Sequence, residues 1–73
     1  MAGLFENAWL SNVKRKDLIR YLRDHGCVFL REGANHSIFL NPAIGRVSTV
    51  PRQNEIDDFL AKKICKDLGI SPR

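Results

Sequence analysis

Two turn signals cut the stretch from Cys27 to Pro51 into three short runs of strand-forming residues. The runs are Cys27–Arg31, His36–Leu40 and Arg46–Val50. Gly33 and Asn35 mark the first turn, Asn41, Pro42 and Gly45 mark the second, and Pro51 stops the third run. Connections this short join strands that run antiparallel, because a parallel pair needs a crossover of about a dozen residues or more. The stretch therefore predicts a three-stranded antiparallel meander.

Helical patterns flank the meander. Leu18, Ile19 and Leu22 recur at helical spacing within a charged stretch, which predicts a helix over 14–25. Ser11 or Asn12 would cap its start, and Gly26 would close it in the left-handed conformation. From Asn54 to Gly69 the pattern is clearer. Asn54 would cap the helix, and Glu55, Asp57 and Asp58 suit the positive end of its dipole, while Lys62, Lys63 and Lys66 suit the negative end. Ile56, Phe59, Leu60, Ile64 and Leu68 form one apolar stripe. The expected architecture is α+β in the order α-β-β-β-α, with both helices on one face of the sheet. Residues 14–70 form the domain and residues 71–73 a C-terminal tail. Residues 1–13 stand outside this plan as an N-terminal extension, flexible or a short helix with Leu4, Phe5, Ala8 and Trp9 on one face.

Composition narrows the class of function. With 73 residues the chain has room for one small core. No apolar run approaches the ~18–20 residues that cross a bilayer, and no secretory leader is evident, so a cytoplasmic protein with no membrane partner is expected. Twelve Lys and Arg against eight Asp and Glu give a net charge of +4, which favours an anionic partner, nucleic acid first. The two cysteines, Cys27 and Cys65, lie in no metal-binding spacing and read as small buried thiols. Phosphate loops, dinucleotide fingerprints and nucleophile elbows are missing from the sequence, and nothing calls for a metal or a small-molecule cofactor.

The remaining chemistry lies in two histidines and the basic residues. His25 precedes Gly26 at a helix end, where a cation at the negative end of the dipole explains it. His36 enters a strand directly after a turn, with Arg31 just before it. An imidazole held on a strand among cations has the makings of a general acid or base for RNA cleavage. It also shares strand parity with Ile38 and Leu40, so spacing alone favours a packed, hydrogen-bonded histidine at this position. Lys14, Arg15 and Lys16 crowd a helix start, where the dipole disfavours cations, which hints at a use other than helix stability.

From Lys14 to about Ile70 the chain resembles the HicA family of toxin–antitoxin toxins. The resemblance is carried by four segments in order: Lys-Asp-Leu-Ile-Arg-Tyr-Leu (16–22), His-Gly-Cys-Val-Phe-Leu-Arg (25–31), Gly-Ala-Asn-His-Ser-Ile-Phe (33–39) and Ser-Thr-Val-Pro-Arg (48–52). A closing helix with Glu55-Ile56 and Ile64-Cys65-Lys66-Asp67-Leu68 follows. The resemblance implies a double-stranded-RNA-binding-domain-like fold and a ribonuclease that cleaves mRNA and arrests translation. It also implies a HicB-type antitoxin as the neutralising partner. The family's catalytic histidine, in a Gly-Ser-His turn entering the second strand, falls on His36.

The sequence departs from that pattern at two places. Ala34-Asn35 replaces Gly-Ser before the histidine, and Val50-Pro51-Arg52-Gln53 ends in glutamine where the family commonly has a second histidine. His36 is the expected catalytic residue. Expected RNA contacts are Lys14, Arg15, Lys16 and Arg31, together with Asn35, Ser37, Arg46 and Arg52. A non-catalytic RNA-binding module, or a degenerate toxin that keeps antitoxin binding, are the alternatives.

Overall fold

A computed structural model describes residues 12–71 of the chain. In order, the elements are β1 (Asn12–Lys14), α1 (Arg15–Asp24), β2 (Val28–Glu32), β3 (His36–Asn41), β4 (Arg46–Pro51), β5 (Glu55–Asp57) and α2 (Asp58–Asp67). The expected meander is present as an antiparallel sheet in the order β2-β3-β4, and both helices pack on one of its faces. The expected extension, with Leu4, Phe5, Ala8 and Trp9, lies outside the described residues except at its last two positions, which belong to β1.

Both helices end by the same device. At the end of α1, the Gly26 N–H donates to the Arg23 carbonyl at 3.0 Å and the Cys27 N–H to the Leu22 carbonyl at 2.9 Å, with Gly26 at φ +89°. At the end of α2, Gly69 donates to Lys66 at 3.0 Å and Ile70 to Cys65 at 2.9 Å, with Gly69 at φ +74°. This pair of bonds is the Schellman arrangement, and the apolar residue after each glycine turns back onto the core.

The starts of the helices depart from expectation. Lys14, not Ser11 or Asn12, holds the cap position of α1 and makes no side-chain capping bond. Asn12 is part of β1, and Ser11 lies outside the described residues. The second helix starts at Asp58 rather than Asn54, because Glu55–Asp57 pairs antiparallel with Asn12–Lys14. Val13 and Ile56 meet across this ribbon and are both buried. A three-residue strand is too short to show a period, so a neighbouring helical pattern absorbs it.

One core lies between the helices and the sheet. Leu18 and Leu22 of α1, Ala61, Ile64, Cys65 and Leu68 at the end of the chain, and Phe39 and Val50 of the sheet are all buried. The buried face of α2 thus follows the 61, 64, 65, 68 spacing. Phe59, expected in that stripe, is 76% exposed. Buried polar groups have partners: Asn41 Nδ2 donates to the Leu68 carbonyl at 2.8 Å, tying β3 to the end of α2.

Cys27 and Cys65 are free and buried. Burial pushes the Cys65 thiol up to about 12, with the neighbouring Cys27 adding to the effect, and burial raises Cys27 as well. A raised folded value means that the folded chain keeps a proton the unfolded chain releases. The contribution to stability is full below the ordinary value of 9.0 and is lost as pH rises toward about 12. Urea midpoints should therefore decline across that window, and Cys65→Ala should flatten the decline. At pH 8, a thiol reagent should label neither cysteine until the protein is unfolded.

Candidate RNA-cleaving site

His36 is the first residue of β3 and follows the turn at Gly33–Asn35. Alternation along β3 decides which way it faces. Ser37, Phe39 and Asn41 are buried toward the helices, so His36, Ile38 and Leu40 lie on the open face of the sheet. Val47, Thr49 and Pro51 of β4 pair with Leu40, Ile38 and His36 respectively, and share that face. His36 is exposed, and its imidazole makes no hydrogen bond among the described residues. The parity with Ile38 and Leu40 is therefore real, but it places His36 on the solvent side and not in the core.

The backbone of His36 is held on the β2 side. Its carbonyl accepts the Gly33 N–H at 2.7 Å, across the turn toward β2. In an antiparallel ladder a residue directs both its backbone groups to one neighbour, so the His36–Pro51 pair is a non-hydrogen-bonded one. Proline, which has no N–H, suits such a position at a sheet edge. The two side chains there stand close, as such pairs do.

Four side chains form a continuous network under this point. Arg15, the first residue of α1, donates from Nε to the Pro51 carbonyl at 2.8 Å and from Nη2 to Ser37 Oγ at 2.7 Å. Ser37 in turn donates to Glu32, with its hydroxyl 3.2 Å from Oε2. Arg52 donates to Glu32 Oε1, from Nε at 3.1 Å, and its Nη2 also reaches the Gly33 carbonyl at 3.0 Å. The hydrogen bond from Arg52, then that from Ser37 and the charges of both arginines, hold the Glu32 carboxyl below its ordinary range. It stays ionised at neutral pH and loses this advantage only in acid. The Arg52–Glu32 pair is half exposed, so solvent screens it and its effect is mainly geometric.

A basic cleft of about 790 Å³ adjoins this network. Lys14, Arg15, Lys16, Arg20, Arg23 and Arg52 line it against only two carboxylates, Asp24 and Glu55. Lys16, Arg20 and Arg23 recur at helical spacing on α1 and present one cationic face. His36 does not line the cleft. Arg15 and Arg52 belong to both, so the cleft and the histidine share a border.

The other expected contacts divide. Arg31 pairs with Ile38 and shares the open face with His36, and Asn35 is exposed in the turn. Ser37 is buried, faces the helices and is engaged by Arg15 and Glu32. Arg46 pairs with Asn41 at the far end of β3, about 17 Å along the strand from His36 at the usual rise per residue. Sequence reasoning misses Arg20, Arg23 and Glu32. The 16, 20, 23 spacing is an available signal for the first two, whereas nothing local marks Glu32. His25 sits at the C-terminal end of α1 with its ring 4.2 Å from that of Tyr21, as a helix-end residue. Among the described residues no group of three or more His, Cys, Asp or Glu is placed to hold a metal ion, and no helix is long and apolar enough to cross a membrane.

No curated protein and no solved structure matches the chain. A family model, described as the HicA toxin of bacterial toxin–antitoxin systems, matches residues 15–70, which runs from Arg15 at the start of α1 to Ile70 just past the final turn of α2. On that match the chain belongs to the HicA toxin family.

Proposed function

We propose that this protein is the toxin of a toxin–antitoxin pair and an endoribonuclease that cleaves mRNA, with His36 as its general acid or base. The observation that supports it is an exposed imidazole, without a hydrogen-bond partner among the described residues, on an anchored strand whose supporting arginines, Arg15 and Arg52, also line a cleft of six cations. A histidine kept for packing would be buried and hydrogen-bonded.

The chemistry follows from the groups at hand. RNA backbone lies in the cleft, its phosphates met by Lys14, Lys16, Arg20 and Arg23. The 2′-oxygen attacks the adjacent phosphorus and forms a new P–O bond while the P–O5′ bond breaks. One proton leaves the 2′-hydroxyl and one arrives at the 5′-oxygen, giving a 2′,3′-cyclic phosphate and a free 5′-hydroxyl. His36 carries one of these transfers. Cations at the border of the site, Arg31 and Arg52, stabilise the charge that builds on the phosphorane. Gln53 cannot titrate, so no second imidazole shares the work there. A HicB-type antitoxin silences the protein by covering His36 or the cleft.

The test is an RNA oligonucleotide beside the same sequence carrying 2′-O-methyl groups. Cleavage of the first alone, leaving cyclic phosphate ends, is expected. Cleavage of both would reject attack by the 2′-oxygen. Tight, salt-sensitive binding with no cleavage of either would instead mark a non-catalytic RNA-binding module. Lys16→Glu with Arg20→Glu should weaken RNA binding. The slope of log affinity against log salt should become shallower by about 0.7 for each phosphate of a single strand that is no longer neutralised.

A further inference from the structure

The sequence marks Arg15 as one of three cations at a helix start, and an RNA contact is the natural reading. Its side chain is spent elsewhere. It is half buried, and its guanidinium faces inward, bonded to Ser37 Oγ at 2.7 Å and to the Pro51 carbonyl at 2.8 Å. Its own backbone N–H donates to the Asn54 carbonyl at 2.8 Å, which fixes where the side chain starts. Ser37 follows His36 in the chain, and Pro51 faces His36 across the ladder. Pro51 is the last residue of the edge strand β4 and its carbonyl points away from β3, so no other strand among the described residues holds it.

We infer that Arg15 is a positioning residue for His36: one planar guanidinium grips both neighbours of the histidine and fixes the angle at which the imidazole leaves the sheet. The inference rests on the reading of His36 as the catalytic group. The remainder of the network completes the grip, since Ser37 donates its proton to Glu32, and Arg52 joins Glu32 to the Gly33 carbonyl. Ser37 after His36, Pro51 across the ladder and Gly33 at the turn are thus each tied to one of two arginines. Lysine cannot replace Arg15, because a single ammonium on a flexible stem does not offer two donors in a fixed fork. Arg15 also lies between Lys14 and Lys16, so the helix start that receives RNA is bolted to the strand that carries the histidine.

Two variants separate positioning from RNA contact. Arg15→Lys keeps the charge in the cleft, and Ser37→Ala removes the acceptor from a buried site that RNA does not reach. Each should lower kcat by about 10- to 100-fold, the range for a reacting group displaced by about an ångström, with KM for RNA changed by less than about twofold. Added to His36→Ala, neither should lower the residual rate further, because a group that acts through His36 has nothing left to position. The imidazole resonances of His36 should shift in both variants while the dispersion of the remaining amide spectrum is kept. A raised KM with unchanged kcat would make Arg15 an RNA contact and overturn the inference. Additive losses in the double variants would overturn it too, since they would show action independent of His36. If His36→Ala cleaves as fast as wild type, the catalytic reading falls and takes the positioning role with it. Unshifted His36 resonances, by contrast, would defeat the positioning role alone.

Discussion

Replacing His36 with alanine should lower the rate of RNA cleavage by about 10²- to 10⁴-fold, the usual contribution of a positioned acid or base. The fold should not change. His36 is exposed on the open face of the sheet, and its backbone bond to Gly33 does not depend on the side chain. Surface changes of this kind normally stay within about 0.5 kcal/mol in stability. Circular dichroism and the urea midpoint of His36→Ala should therefore match those of wild type while cleavage disappears. RNA binding should also persist, because the cleft cations are untouched. A folded His36→Ala protein with undiminished cleavage would place the chemistry elsewhere.

A large loss of stability is expected at Leu22. It is fully buried on α1, beside Leu18, and its carbonyl receives the Cys27 N–H that closes the helix. Leu22→Ala removes three carbons from a close-packed core and leaves a cavity, at a cost of about 2–5 kcal/mol. A chain of this size has only about 4–11 kcal/mol in total at the usual stability per residue. The variant should lose a large part of its stability, and its urea midpoint should fall accordingly. Phe59→Ala is the control. It too deletes a large apolar side chain, but from a site that is 76% exposed, and it should move the midpoint by about 0.5 kcal/mol or less. Equal losses at the two positions would contradict the assignment of the core.

Much of this fold is legible in the sequence because its signals are local. Gly26 and Gly69 sit where the helices end, and the turns at Gly33–Asn35 and Asn41–Gly45 separate the strands as their residue types demand. The β1–β5 ribbon is not legible, since it joins two three-residue segments that lie far apart in the chain. The sheet misleads in a different way. Ile38 and Leu40 look like a core face, but Ser37 and Asn41 turn inward with Phe39, each satisfied by a long-range partner. Buried polar residues with distant partners leave no mark on a local pattern, so the pattern alone does not determine which way His36 faces.

The candidate site divides along the same line. His36 is identifiable from its turn and from the family pattern around it. The cleft is half visible, as Lys14–Lys16, while Arg20 and Arg23 complete it only once the helix face is known. The roles of Arg15, Ser37 and Glu32 depend on contacts between residues 5 to 36 positions apart, which no spacing rule anticipates. Of the residues expected to touch RNA, Ser37 points inward and Arg46 stands at the other end of the strand from His36.

Growth after induced expression shows whether toxicity passes through His36. Wild type and His36→Ala should be induced side by side, with soluble, folded protein confirmed for both. Arrest by wild type and normal growth with His36→Ala is the predicted result. Arrest by both would contradict a catalytic His36, because toxicity would then arise elsewhere in the protein.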